Sequence, residues 1–164
     1  MILLDQTTSR APQSSTGRRL TVLVTGTVSD AHTWNLIFLT LLFREMGHRV
    51  VTLGSCVPES EVAQRCQELS PDLVVVSSVN GHGYLDGLRL IRLLRRTEGC
   101  DRLPAVIGGK LTTDGKLEDA HVTALLEAGY GAVFDDRGPD SVLAELNRFV
   151  DRIALDQTRP ELTS

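Results

Sequence analysis

With 164 residues, a net charge of −4 and a pI near 5.5, the chain is long enough to bury one core unaided, and it has no basic footprint for nucleic acid or anionic lipid. Hydrophobic residues at 41% and charged residues at 23% are ordinary for a soluble globular domain, so neither a fibrous nor a disordered class is indicated. Three scattered cysteines, Cys56, Cys66 and Cys100, form no CxxC pair, and no apolar run reaches the roughly 18 residues of a membrane span. Free thiols in a reducing cytoplasm are the expected setting.

Residues 1–18 are rich in Ser, Thr, Gln and Arg and include Pro12, which reads as a disordered leader. The folded domain is expected over 19–154, with 155–164 as a polar tail. Leu20 to Thr25 is a continuous apolar strand of the kind covered on both faces. Trp34 to Met46 carries Leu36, Ile37, Leu39, Leu41, Leu42 and Phe43 and reads as a heavily buried helix stopped by Gly47. Arg49 to Leu53 is a second strand. Pro58 opens a helix that places Val62, Cys66 and Leu69 on one face and ends at Ser70-Pro71. Asp72 to Ser77 is a β-branched third strand. Tyr84 to Arg96 is a helix with Leu85, Leu88, Ile91, Leu93 and Leu94 inward and its arginines outward. Leu103 to Ile107, a helix over Leu117 to Ala128, Gly131 to Phe134 and a last helix from Pro139 to about Ala154 complete the series.

Five β–α units predict a parallel sheet with right-handed crossovers and helices on both faces, in the flavodoxin-like order 2-1-3-4-5. Ligands of such sheets bind outside the carboxyl ends of the strands at the switch point. There the chain holds Ser29, Asp30, Ala31, His32 and Thr33; then Ser77, Ser78, Val79, Asn80, Gly81 and His82; then Gly108, Gly109, Lys110, Leu111, Thr112 and Thr113. Two glycine pairs would let a large ligand approach the backbone.

Three uses of this fold are weighed against those loops. A phosphorylated receiver needs an aspartate where Ser77-Ser78 stands and a lysine after the fifth strand, and both are missing. A flavin carrier would cradle phosphate on Thr25-Gly26-Thr27, but Asp30 adds a negative charge there and few aromatics are present for stacking. A corrin cobalt needs one neutral imidazole, and that imidazole needs a carboxylate to fix its tautomer. His32 and Asp30 supply both, and Ser77 with Gly108-Gly109 could wall a slot for a displaced nucleotide base.

Asp30-Ala31-His32, Ser77-Ser78-Val79 and Gly108-Gly109 resemble the base-off, histidine-on cobalamin-binding family, whose consensus is DxHxxG, SxL and GG. The run Val76 to Asp86, together with Leu53-Gly54 and Val106 to Leu111, resembles the small-subunit family of glutamate mutase (methylaspartate mutase). The resemblance spans about residues 20–150. It implies adenosylcobalamin, with His32 as lower axial cobalt ligand, Asp30 as its partner, Ser77 toward the displaced dimethylbenzimidazole, and Gly108 to Thr113 along the nucleotide tail. It also implies a carbon-skeleton rearrangement shared with a separate large barrel subunit that holds an amino-acid-like substrate. A stand-alone cobalamin carrier or sensor and a corrinoid methyltransferase module are the alternatives, followed by a flavin-binding electron carrier. Asn35 stands where the motif has glycine, and Val79 where it has leucine.

Plainer readings compete at several positions. Asp30 alone could cap the helix near Trp34. His48 reads as solvated or edge packing, and His121 as lying on an exposed helix face. His82 reads as a turn residue or a contact to corrin or partner. Arg89, Arg92, Arg95 and Arg96 read as a solvated face, and Asp135-Asp136 as a loop.

Overall fold

The computed structural model describes residues 17–135 and 139–156. The expected leader lies outside the described residues except at its last two positions, 17 and 18, and so does the tail beyond residue 156. The elements are β1 (Thr21–Gly26), α1 (Trp34–Glu45), β2 (Arg49–Gly54), α2 (Glu59–Leu69), β3 (Leu73–Ser77), α3 (Gly83–Arg96), β4 (Ala105–Gly108), α4 (Asp119–Ala128), β5 (Ala132–Phe134) and α5 (Pro139–Asp156). The strands form one parallel sheet in the order β2-β1-β3-β4-β5, as the β–α alternation predicts.

Strand periodicity divides the core in two. Leu23, Val74 and Val76 point to the side packed by α2, α3 and α4, where Val62, Leu88, Ile91, Leu94 and Leu125 meet them. Val22, Val24, Leu73 and Val75 point to the other side, covered by Leu36 and Phe43 of α1 and by Leu146, Phe149 and Val150 of α5. β1 and β3 have no exposed position, which is why they read as unbroken apolar runs.

Two helices depart from their expected faces. α1 buries only Leu36, Thr40 and Phe43, while Trp34, Ile37, Phe38 and Leu41 are at least half exposed. Its contact with the sheet runs along the 36–40–43 stripe, where the Thr40 hydroxyl bonds the Leu36 carbonyl and meets the Thr52 hydroxyl at 2.7 Å. The residues a turn away face outward and form an apolar strip at the spacing of one helix face. On α3, Leu85 is exposed, whereas Asp86 and Gly87 are buried beside Leu88. Arg95 also turns inward: its guanidinium donates to the carbonyls of Cys100 (2.8 Å) and Gly129 (2.6 Å).

Candidate functional site

The loop after β1 is held by its own backbone. The Asp30 amide donates to the Thr27 carbonyl (3.1 Å), and the Asp30 carbonyl accepts from Cys56 of the β2–α2 loop (2.9 Å). The Asp30 side chain is only 1% exposed, so every lone pair it brings inside needs a donor. Oδ1 accepts from the His32 amide at 2.9 Å and lies 2.7 Å from His32 Nδ1. Oδ2 accepts from the Val79 amide at 2.5 Å, across the loop after β3.

Burial pushes the Asp30 carboxyl up, but hydrogen bonds from the His32 and Val79 amides, the His32 ring and the Ser78 side chain outweigh it. The carboxyl therefore sits below the usual carboxylate range. An ionised carboxylate only accepts, so Nδ1 carries the proton of this contact. In the neutral ring the lone pair is then on Nε2. The His32 side chain is 53% exposed, so this nitrogen is offered from an otherwise buried clamp. The capping reading fails here: α1 begins after Thr33, and no side chain caps it.

Ser29 is tied down from the other side. Its hydroxyl donates to Asp86 of α3, which also receives the Arg89 guanidinium. Asn80 Nδ2 donates to the Ser29 carbonyl (2.8 Å) and hydroxyl (3.0 Å). Asn80 Oδ1 accepts from the His82 amide (2.9 Å), so His82 is an exposed turn residue preceding α3. Ser78, fully buried, bonds Thr27 and Asn80 through its hydroxyl and Gly108 through its amide. Gly109 closes against it at φ +108°, and a Cβ there would lie 2.2 Å from the Ser78 carbonyl oxygen. No side chain fits at that position.

Beside these loops a slot of about 260 Å³ opens between α1 and α5 over the ends of β3 and β4. Its lining is apolar (Phe38, Val75, Val106 and Leu146 among others) except for Asn35 and Ser77 within the strand and helix ends, and Asp135 beyond β5. Asn35 Nδ2 donates to Ser77 Oγ at 2.6 Å.

Of the residues singled out from sequence, Asp30, His32, Ser29, Ser78 and Val79 share one hydrogen-bonded cluster. Ser77, Val79, Gly108 and Gly109 line the slot. Ala31 and Thr33 are exposed beside His32. Gly81 is buried under Thr113 and donates to the Lys110 carbonyl (3.1 Å). Lys110, Leu111 and Thr112 do not line the slot. Leu111 is buried in the core under α3, and the Thr112 hydroxyl bonds the Lys116 carbonyl. Asp86 was not anticipated, since an acid in a first helical turn reads as a favourable dipole contact. The slot's α5 wall, Val142 and Leu146, had no signal beyond helical periodicity.

His121 is half-buried, stacks edge-on against Tyr84 with ring centroids 4.5 Å apart, and its Nδ1 accepts the Glu118 amide at the start of α4. It is therefore not a free surface histidine. His48 Nδ1 accepts the Leu20 amide at 3.3 Å beside Phe43.

Among the described residues no helix is long and apolar enough to cross a membrane. Residues 20–133 match the family model described as the B12 binding domain. The glutamate mutase sigma subunit of Escherichia coli O157:H7 is 34% identical over 115 residues, which are 68% of this chain and 75% of that protein. The dimethylamine corrinoid protein of Methanosarcina barkeri is 24% identical over 103 residues, 62% of this chain and 48% of that protein. A cobalamin-binding protein from Desulfitobacterium hafniense DCB-2 shares the fold with a TM-score of 0.63 at 19% identity, covering 83% of this chain and 60% of that one. With the match running from β1 to β5 through all three loops of the cluster, the chain belongs to the B12-binding domain family.

Proposed function

We propose that this chain is the cofactor-carrying component of a glutamate-mutase-like carbon-skeleton isomerase, with residues 19–154 as the cobalamin-binding domain. His32 would supply the imidazole nitrogen that holds the cobalt, as lower ligand. The observation that carries this reading is the clamp on His32, in which an ionised, buried Asp30 accepts a hydrogen bond from Nδ1–H and leaves the Nε2 lone pair free. The residues present suit the group: an imidazole of fixed tautomer, a slot walled by Ser77 and Gly108, and a Ser78–Gly109 contact with no room for a side chain.

When bound, adenosylcobalamin supplies a carbon-centred radical by homolysis of its cobalt–carbon bond. What this chain does is bind and orient. Asp30 holds the His32 ring against rotation and fixes its tautomer. Ser29, itself fixed by Asp86 and Asn80, holds the loop that carries Asp30. The Ser77 hydroxyl stands at the slot wall with a proton to donate, since its oxygen accepts from Asn35. Ala31 and Thr33, exposed beside His32, and Lys110 and Thr112 of the loop after β4 complete the proposed surround of the corrin and its tail, whereas Gly81 and Leu111 are buried beneath that loop and only support it. The amino-acid-like substrate would sit chiefly on a separate large barrel-type subunit. Similarity to the E. coli sigma subunit supports this division.

Titrating the purified chain with adenosylcobalamin is expected to give the absorption spectrum of a histidine-ligated, base-off corrinoid. Replacing His32 with alanine should remove that species while leaving the fold intact. Unchanged spectra in the variant would overturn the ligand assignment.

Similarity to the dimethylamine corrinoid protein favours a second reading, a methyl-carrying corrinoid module. Mixing the loaded chain with a large mutase subunit and following isomerisation of glutamate separates the two. A methyl carrier would give no isomerised product.

A further inference from the structure

The one buried side-chain polar atom without a hydrogen-bond partner among the described residues is Asn35 Oδ1. It lies on a residue lining the slot, in the first turn of α1, whose Nδ2 is already used on Ser77 Oγ. Of the other lining side chains only the Trp34 indole and the Ser77 hydroxyl carry an N–H or O–H, and neither bonds this oxygen. A buried carbonyl oxygen left unpaired is costly, and native structures meet such atoms with a ligand group or water.

We propose that Asn35 tunes the slot toward a corrinoid whose lower nucleotide base carries an exocyclic hydrogen-bond donor, as an aminopurine does. The proposal rests on the reading above, in which the displaced base enters this slot. Asn35 and Ser77 together present a matched pair, an amide oxygen that accepts and a hydroxyl hydrogen that donates. An aminopurine edge answers both, with an amino N–H for Oδ1 and a ring nitrogen for Ser77. Dimethylbenzimidazole answers only the second, because the rest of its edge is methyl and C–H. Its entry leaves Oδ1 unpaired, as it is in the free chain, whereas an amino N–H would satisfy it. A glycine at this position would offer neither the amide nor its bulk, so the discrimination belongs to this chain's own side chain.

The test uses the full chain and two adenosylated cobamides that differ only in the lower base, adenine or dimethylbenzimidazole. Binding is followed by the absorption change of histidine ligation and by equilibrium dialysis. The adenine form is expected to bind about tenfold more tightly, the size of one hydrogen bond left unmade in a dry site. Asn35→Leu keeps the volume and removes the acceptor, so it should erase the preference. Asn35→Gly, which also opens the slot, should erase it while strengthening dimethylbenzimidazole binding. Equal affinities in the natural chain would overturn the proposal, as would a preference that survives in both variants. If neither cobamide produces the histidine-ligated spectrum, the underlying site reading fails, and the proposal falls with it.

Discussion

One carboxylate oxygen of Asp30 binds both the amide and the ring of His32, while the other binds the amide of Val79 on a different strand's loop. The residue therefore orients the His32 ring and splices two loops at once. Asp30→Asn keeps the shape but places an N–H against one of these donors. We expect a loss of about 1–3 kcal/mol in stability, read from urea unfolding, because a buried N–H goes unpaired. Corrinoid affinity should fall about 10–100-fold, read from spectral titration. A variant that loses stability but keeps full affinity would show that the clamp serves the fold alone.

Gly109 sits at φ +108° with the Ser78 carbonyl where a side chain would be. Gly109→Ala must distort the junction of the β3 and β4 loops, at a cost of about 2–4 kcal/mol in thermal or denaturant unfolding. Gly115→Ala is the control: its φ is also positive, at +71°, but its nearest neighbour is the end of Lys110 at 3.8 Å. It should lose only the backbone part, about 1 kcal/mol.

Burial depresses the pKa of His48 below 6.5, its ordinary value, with Arg19 adding to the effect and Asp151 and Asp72 opposing it. Its Nδ1 accepts the Leu20 amide, which requires the unprotonated nitrogen. As pH falls below about 6.5 the unfolded chain takes up a proton that the folded chain resists, so this contribution to stability is lost on acidification. Denaturation midpoints measured between neutrality and mild acid should fall. His48→Gln should flatten that slope while costing about 1 kcal/mol at high pH through the altered Leu20 contact.

Cys66 and Cys100 are buried and Cys56 is exposed. Burial, aided by Cys100, pushes the Cys66 thiol up to about 12, and Cys100 is raised as well. Alkylation of the native chain at mildly alkaline pH should label Cys56 alone, with the other two reacting only after denaturation. Rapid labelling of Cys66 in the native state would contradict the packing of α2 on the sheet.

The sheet order was legible because β1 and β3 are buried on both faces and so lack polar interruption, and because each is followed by helical spacing. The pairing of Asp30 with His32 was also legible, as it spans two residues. Burial of α1 was not. An apolar residue at 34, 37, 38 or 41 satisfies helical periodicity whether it faces a core or lies bare, and only the packing of 36, 40 and 43 on the sheet decides. Arg95 illustrates the same limit, because nothing local reveals that the Cys100 and Gly129 carbonyls will need its guanidinium. The Asn35–Ser77 bond joins positions 42 apart. It could be placed only after β3 had been set beside the start of α1.

Ser78 is the point at which the three loops meet. It receives Thr27 from the first, bonds Asn80 within its own, donates its amide to Gly108 and blocks the space above Gly109. No loop can swing out without breaking a bond or contact held by another. The cluster should therefore open as one cooperative unit, with the protected amides of Ser78, Val79 and Gly109 exchanging their hydrogens at a common free energy of opening. A cofactor entering here, as proposed, would meet a frame already assembled, and the ordering cost of binding would fall on its own tail.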